Sequence, residues 1–145
     1  MEQKYDLAVI GSGPGGYVAA IRAAQYGIKT VIIEEKDIGG TCLNRGCIPT
    51  KALLHSCGIL DSIKKAGKLG IKVDVPKVNL AKLYAYKDGI INQLKSGVVG
   101  LLKTNGVDVL YSRALFVDKN RIECPGVSES TLINADKIII ATGSA

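Results

Sequence analysis

The sequence predicts an α/β domain: a parallel β-sheet flanked by helices, with a small antiparallel β-meander late in the chain. Three observations predict it. First, an apolar run ends in Gly11-Ser12-Gly13-Pro14-Gly15-Gly16, and helical spacing and a second apolar run ending in an acid follow, the order of a β–α–β unit. Second, Asn79 to Thr104 repeats apolar residues near the helical period. Third, short β-type segments separated by turn residues follow, and a last apolar run leads to the end of the sequence. With 145 residues, 47% apolar and 22% charged, the composition is that of a globular domain able to bury a sizeable core.

The first strand is expected over Tyr5–Ile10, where Leu7, Ala8, Val9 and Ile10 stand in a row. Gly11, Gly13 and Gly16 then make a G-x-G-x-x-G. A helix is expected from Tyr17 to Tyr26, with Gly27 as its stop. Lys29–Ile33 reads as the second strand, ended by Glu34, which stands 18 residues after Gly16. Taken alone, the glycines describe only a tight turn. In this context they describe a dinucleotide site, because glycines let backbone approach a pyrophosphate and a helix N-terminus offers it N–H groups. Glu34 is the expected acceptor for ribose hydroxyls; the plainer alternative is an exposed acid at a strand end.

Helical character continues after Lys51 to about Ala66. His55 and Cys57 lie on it, the histidine read as structural or solvent-facing and the thiol as packed. Lys68–Val78 reads as a linker, with Gly70 and Pro76. Asn79 is a candidate cap for the long helix, which Asn105-Gly106 closes. Gly89, Gly97 and Gly100 interrupt that helix and predict either close packing against another element or a kink. Val107–Val117 reads as one strand, followed by Arg121–Cys124 and Thr131–Ile133, and Lys137–Ile140 as a separate last strand running into Ala141-Thr142-Gly143-Ser144.

Gly39-Gly40-Thr41-Cys42-Leu43-Asn44-Arg45-Gly46-Cys47-Ile48-Pro49-Thr50-Lys51 carries most of the chemistry. Two readings are plain: unrelated buried thiols, or half a zinc site. Zinc lacks a second ligand pair, since Cys57 and Cys124 are isolated and His55 is the single histidine, so no metal is expected. The third reading is a redox-active disulfide. Gly46 can supply the bend and Pro49 suits the first turn of a helix starting near Gly46. Cys47 at that N-terminus would have its thiolate stabilised by the helix dipole, and Lys51, four residues on, could share its face.

At these residues the chain resembles the flavoprotein disulfide oxidoreductases that use pyridine nucleotides, and most of all their dihydrolipoamide dehydrogenase branch. The resemblance implies a three-layer, Rossmann-like FAD/NAD(P)-binding fold. It implies that the first motif binds FAD while NAD(H) occupies a later, separate domain. It assigns Cys42 to exchange with substrate, Cys47 to the flavin side as a charge-transfer thiolate, and Lys51 to the neighbourhood of the flavin. Cofactor-binding positions implied are Gly11, Gly13, Pro14, Gly16, Glu34, Gly40, Thr41, Cys42, Lys51, Thr142 and Gly143, with Ala114 where the family typically has glycine near the adenine. The substrate implied is dihydrolipoamide on a carrier protein of a 2-oxo acid dehydrogenase or glycine cleavage system, with NAD+ as final acceptor and a homodimer as the intact enzyme. Mercuric reductase is the alternative within the family, and a non-catalytic FAD-binding module the alternative outside enzymology. The resemblance runs from Tyr5 to Ser144 and covers only the first part of such enzymes. Residues 1–145 are thus expected to be the N-terminal part of an FAD-binding domain, inactive alone.

The net charge is +6, but the lysines are scattered without aromatic interleaving, so no nucleic-acid partner is expected. No apolar run has the length of a membrane span and no signal peptide is visible, so a cytoplasmic chain without membrane partners is expected. Disulfides are rare and usually catalytic there.

Overall fold

The computed structural model describes residues 2–126 and 129–144. Its strands are β1 (Glu2–Ile10), β2 (Thr30–Glu34), β3 (Asp108–Tyr111), β4 (Leu115–Phe116), β5 (Arg121–Cys124) and β6 (Thr131–Ile140). Its helices are α1 (Pro14–Gln25), α2 (Gly40–Asn44), α3 (Cys47–Lys65) and α4 (Leu80–Thr104), with a 3₁₀ turn at Ala66–Leu69. The strands form one sheet in the order β3-β2-β1-β6-β5-β4. β1 runs parallel to β2 and β6, β2 parallel to β3, and β4, β5 and β6 make the antiparallel meander.

Alternation along the strands separates two faces. Leu7, Val9 and Ile32 pack with Ala20 and Ala23 of α1 and Val98 and Leu102 of α4. Ala8, Ile10, Val31 and Ile33 point the other way and pack with Ile122, Cys124, Ile133 and Ala135 of β5 and β6. β1 lies between helices on one face and meander residues on the other, which explains its unbroken apolar run. Lys29–Ile33 is displaced by one residue from the observed β2. α1 begins with Pro14, whose missing N–H is not needed at a helix start, and Gly27 ends it with φ +79°. The Asn79 side chain accepts from Lys82 N–H at 3.0 Å and caps α4. The linker at 71–79 carries no regular element.

Four expectations need correction. Val107–Val117 is two strands: β3 pairs with β2 and β4 with β5, at opposite edges of the sheet. One straight strand cannot serve both edges, and Ser112 marks the break by donating its N–H to Glu34 O and its hydroxyl to Pro125 O. Thr131–Ile133 and Lys137–Ile140 are instead one strand, because β1 pairs with β6 through the residues between them, Asn134 opposite Lys4 and Ala135 opposite Tyr5. Gly89, Gly97 and Gly100 make no close approach, since a Cβ at any of them would meet nothing within 4 Å. Cys57 is exposed rather than packed, because α3 buries only Ala52.

Candidate functional site

Three parallel strands end level with one another. Ile10 is in register with Ile33 on one side and Ile140 on the other. Chain order reverses here: β2 lies on one side of β1 and β6 on the other, so a crevice opens beyond their carboxyl ends. Gly11 N–H donates to Ile33 O and Ala141 N–H to Ile10 O, both at 2.8 Å, which pins the three ends together.

Two glycines of the first motif are required by close approach. Gly11 has φ +96°, and a Cβ on it would sit 2.5 Å from the Ala141 carbonyl oxygen. A Cβ on Gly16 would overlap the Gly11 carbonyl oxygen, so the first turn of α1 rests directly on the loop. The loop also has a brace. Glu34 Oε2 accepts from Ser12 N–H at 2.9 Å and from Ser12 Oγ at 2.6 Å, while Oε1 accepts from Lys36 N–H at 2.8 Å. Burial opposes ionisation of Glu34, but the bonds from Ser12, Lys36 and Asp37 outweigh it and hold the carboxyl below its ordinary pKa. Glu34 is therefore a structural part of the loop as well as the expected ribose acceptor.

The crevice is a cavity of about 580 Å³. Its walls include Gly11, Gly13 and Pro14 from the first loop, Glu34 at the end of β2, and Thr142 and Gly143 beyond β6. Gly40, Thr41 and Cys42 come from α2 and Ala114 from the turn before β4. Gly16 stands behind this wall, and Lys51 is exposed on α3 outside it.

α2 and α3 carry the sulfur pair. Cys42 and Cys47 are joined in a disulfide with Cα atoms 4.7 Å apart, which Gly46 permits: a Cβ there would lie 3.1 Å from Thr41 O. Cys42 is half-buried on the cavity wall; Cys47 is the exposed first residue of α3. Cys124 is buried and its thiol is pushed up to about 11 by burial, then by the Glu123 charge. His55 is exposed. Among the described residues no group of three or more His, Cys, Asp or Glu is placed to hold a metal.

The disulfide thus opens through Cys42 into the crevice that the glycine loop lines. The family model for pyridine nucleotide-disulphide oxidoreductases matches residues 5–145. The chain belongs to this family. A dihydrolipoyl dehydrogenase of Thermus scotoductus is 49% identical over 140 residues, covering 97% of this chain and 29% of the relative. That of Chlamydia trachomatis is 42% identical over 144 residues, covering 99% and 31%. That of Staphylococcus aureus is 45% identical over 139 residues, covering 96% and 30%. A solved structure of the HOCl-induced flavoprotein disulfide reductase RclA from Escherichia coli, a Cu(II) complex, superposes with TM-score 0.81 at 26% identity over 97% of this chain and 29% of that one. The chain thus spans about 30% of the length of the curated relatives it matches.

Membership in this oxidoreductase family implies FAD binding, and the residues present fit that group: on the crevice wall Gly11 has no room for a Cβ, while at Gly13 a Cβ would project into open space that a ligand could fill. Sequence reasoning missed Ser12, Arg45 and Arg113 on the cavity wall. Ser12 was legible as the variable position of the glycine motif, and Arg45 as the cation between the cysteines. Nothing local marked Arg113. No helix among the described residues is long and apolar enough to cross a membrane.

Proposed function

We propose that this chain supplies the FAD crevice and redox disulfide of a dihydrolipoyl dehydrogenase, which oxidises dihydrolipoamide with NAD+ as final acceptor. The observation that carries it is the Cys42–Cys47 disulfide at the mouth of the glycine-lined crevice. The names of the relatives favour lipoamide over mercury. The carrier would be the lipoylated protein of a 2-oxo acid dehydrogenase or glycine cleavage system, and the working form a cytoplasmic homodimer.

Gly11, Gly13, Pro14 and the N–H groups opening α1 would hold the pyrophosphate, and Glu34 would meet the ribose with what acceptor capacity the loop leaves. Gly40, Thr41, Thr142, Gly143 and the backbone at Ala114 would line the rest. When bound, FAD supplies an acceptor for the electron pair released by the dithiol.

The chain's own part is thiol–disulfide exchange. A substrate thiolate attacks Cys42 Sγ, the bond to Cys47 breaks, and Cys47 leaves as a thiolate. Its place at the start of α3 stabilises that charge. The second substrate thiolate then attacks the mixed disulfide, forming the cyclic disulfide of lipoamide and freeing Cys42 as a thiolate. Lys51, one turn further along α3, would favour the anionic state. His55 is eight residues beyond Cys47, about 12 Å along the helix, so we assign the proton-accepting base, like the NAD+ site, to residues outside this sequence.

The test is anaerobic incubation of the purified chain with dihydrolipoamide, followed by alkylation and mass analysis. Opening of the Cys42–Cys47 bond with stoichiometric formation of lipoamide supports the proposal. A bond that stays closed overturns it. Adding FAD and NAD+ should give no sustained turnover; turnover near that of a full-length relative would overturn the division of labour.

A further inference from the structure

The segment between β2 and α2 is tied in three directions. Gly39 N–H donates to Ser12 O at 3.0 Å, which joins it to the glycine loop. Asn44 Nδ2 donates back to Ile38 O at 3.0 Å and Gly40 O at 2.9 Å. Asp37 makes the third tie with both carboxylate oxygens. Oδ1 accepts from Lys95 Nζ of α4 at 2.6 Å, and Oδ2 accepts from Arg45 Nη2 at 3.3 Å. Arg45 lies inside the loop that the disulfide closes.

This matters when the disulfide opens. α2 has five residues, too few to persist without support. With the covalent tie gone, Cys42 is held by the buried Leu43, by Asn44 and by the Arg45–Asp37–Lys95 chain. A single exposed ion pair contributes little, but here two cations share one carboxylate, and one comes from the long helix. The Lys95 hydrogen bond, against a smaller effect of burial, holds the Asp37 carboxyl below its ordinary range, so it is charged at neutral pH.

We propose that Asp37 is a positioning residue for the redox pair: by joining Arg45 to Lys95 it keeps the open Cys42–Cys47 loop in the closing geometry. The proposal rests on the reading that this pair cycles between dithiol and disulfide. Holding two thiols in place raises their effective concentration and favours the disulfide. Loosening the loop gives the dithiol state more freedom and favours reduction.

The test uses the full chain and its Asp37→Ala, Arg45→Gln, Lys95→Gln and Lys95→Arg variants. Each is equilibrated in glutathione buffers, where dithiol plus oxidised glutathione gives protein disulfide plus two reduced glutathiones. Quenched samples are alkylated and the Cys42–Cys47 pair is read by peptide mass, with circular dichroism confirming the fold. Positioning predicts that the first three variants all lower the constant for disulfide formation, by about threefold to tenfold, the latter about 30 mV for a two-electron couple. Lys95→Arg should stay within about twofold of wild type. A purely electrostatic role predicts opposite signs, because removing Asp37 favours thiolates and removing Arg45 or Lys95 disfavours them. Opposite signs, or an unchanged Asp37→Ala, overturn the proposal while leaving the redox reading intact. A wild-type pair that never exchanges overturns that reading and this proposal with it.

Discussion

Replacing Glu34 by alanine should destabilise the fold in the absence of any cofactor. Its carboxylate is the acceptor for two donors of Ser12, a residue with no exposed surface. Without it the Ser12 N–H and hydroxyl proton lose their partner, although Ser12 Oγ still accepts from Gly39 N–H at 3.3 Å. Each orphaned buried donor costs about 1–3 kcal/mol. The adjoining cavity admits water, which places the expected loss at the lower end, about 2–3 kcal/mol. Glu34→Gln should cost about 1 kcal/mol, since its one oxygen can serve Ser12 while its amide faces the Lys36 N–H. The measurement is urea unfolding followed by circular dichroism, with the midpoint falling and the slope unchanged. A loss below about 0.5 kcal/mol for Glu34→Ala, within the range of neutral surface changes, would refute the bracing role. The pH dependence has a definite sign. Glu34 has a lowered pKa in the fold, so as the pH falls the unfolded chain takes up the proton first. Its contribution is whole above about pH 5 and is lost as the pH falls through the folded pKa. Glu34→Ala should lack this acid-side component.

The same substitution should weaken FAD binding by about 10- to 150-fold if Glu34 also meets the ribose, measured by flavin fluorescence titration. Thiol titration of the native chain should find Cys57 alone reactive, Cys124 only after unfolding, and Cys42 and Cys47 only after reduction; a Cys57 or Cys124 bridge in peptide maps would contradict this. Gly16→Ala should destabilise by about 1–3 kcal/mol through overpacking, whereas Gly89→Ala, Gly97→Ala and Gly100→Ala should each stabilise α4 by about 0.5–1 kcal/mol; melting curves distinguish the two. Burial, then the Asp108 hydrogen bond at 2.9 Å, pushes the Tyr5 hydroxyl up to about 12. The unfolded chain loses that proton near pH 10, so stability should fall as the pH rises from about 10 to 12, a fall that Tyr5→Phe removes.

What the sequence determined by itself is local in origin. A buried strand running into Gly11, a proline opening α1, Asn79 capping α4 and the bend at Gly46 each follow from a few neighbouring residues whose backbone preferences agree with the fold. The disulfide was legible for the same reason, since its two cysteines and their glycine lie within one short loop. The tertiary structure decided what depends on partners distant in sequence. Val107–Val117 splits because its halves pair at opposite sheet edges, and Asn134–Asp136 stays extended because β1 holds it there. Gly89, Gly97 and Gly100 leave room for a side chain because α4 buries only Val98 and Leu102, which periodicity alone cannot reveal. Glu34 gained its second role in the same way: a motif can place an acid at a strand end, but only the meeting of that end with Ser12 shows that its oxygens already hold the loop. Pairing, burial and shared acceptors are properties of surfaces in contact, and they come into existence only when the chain has closed on itself.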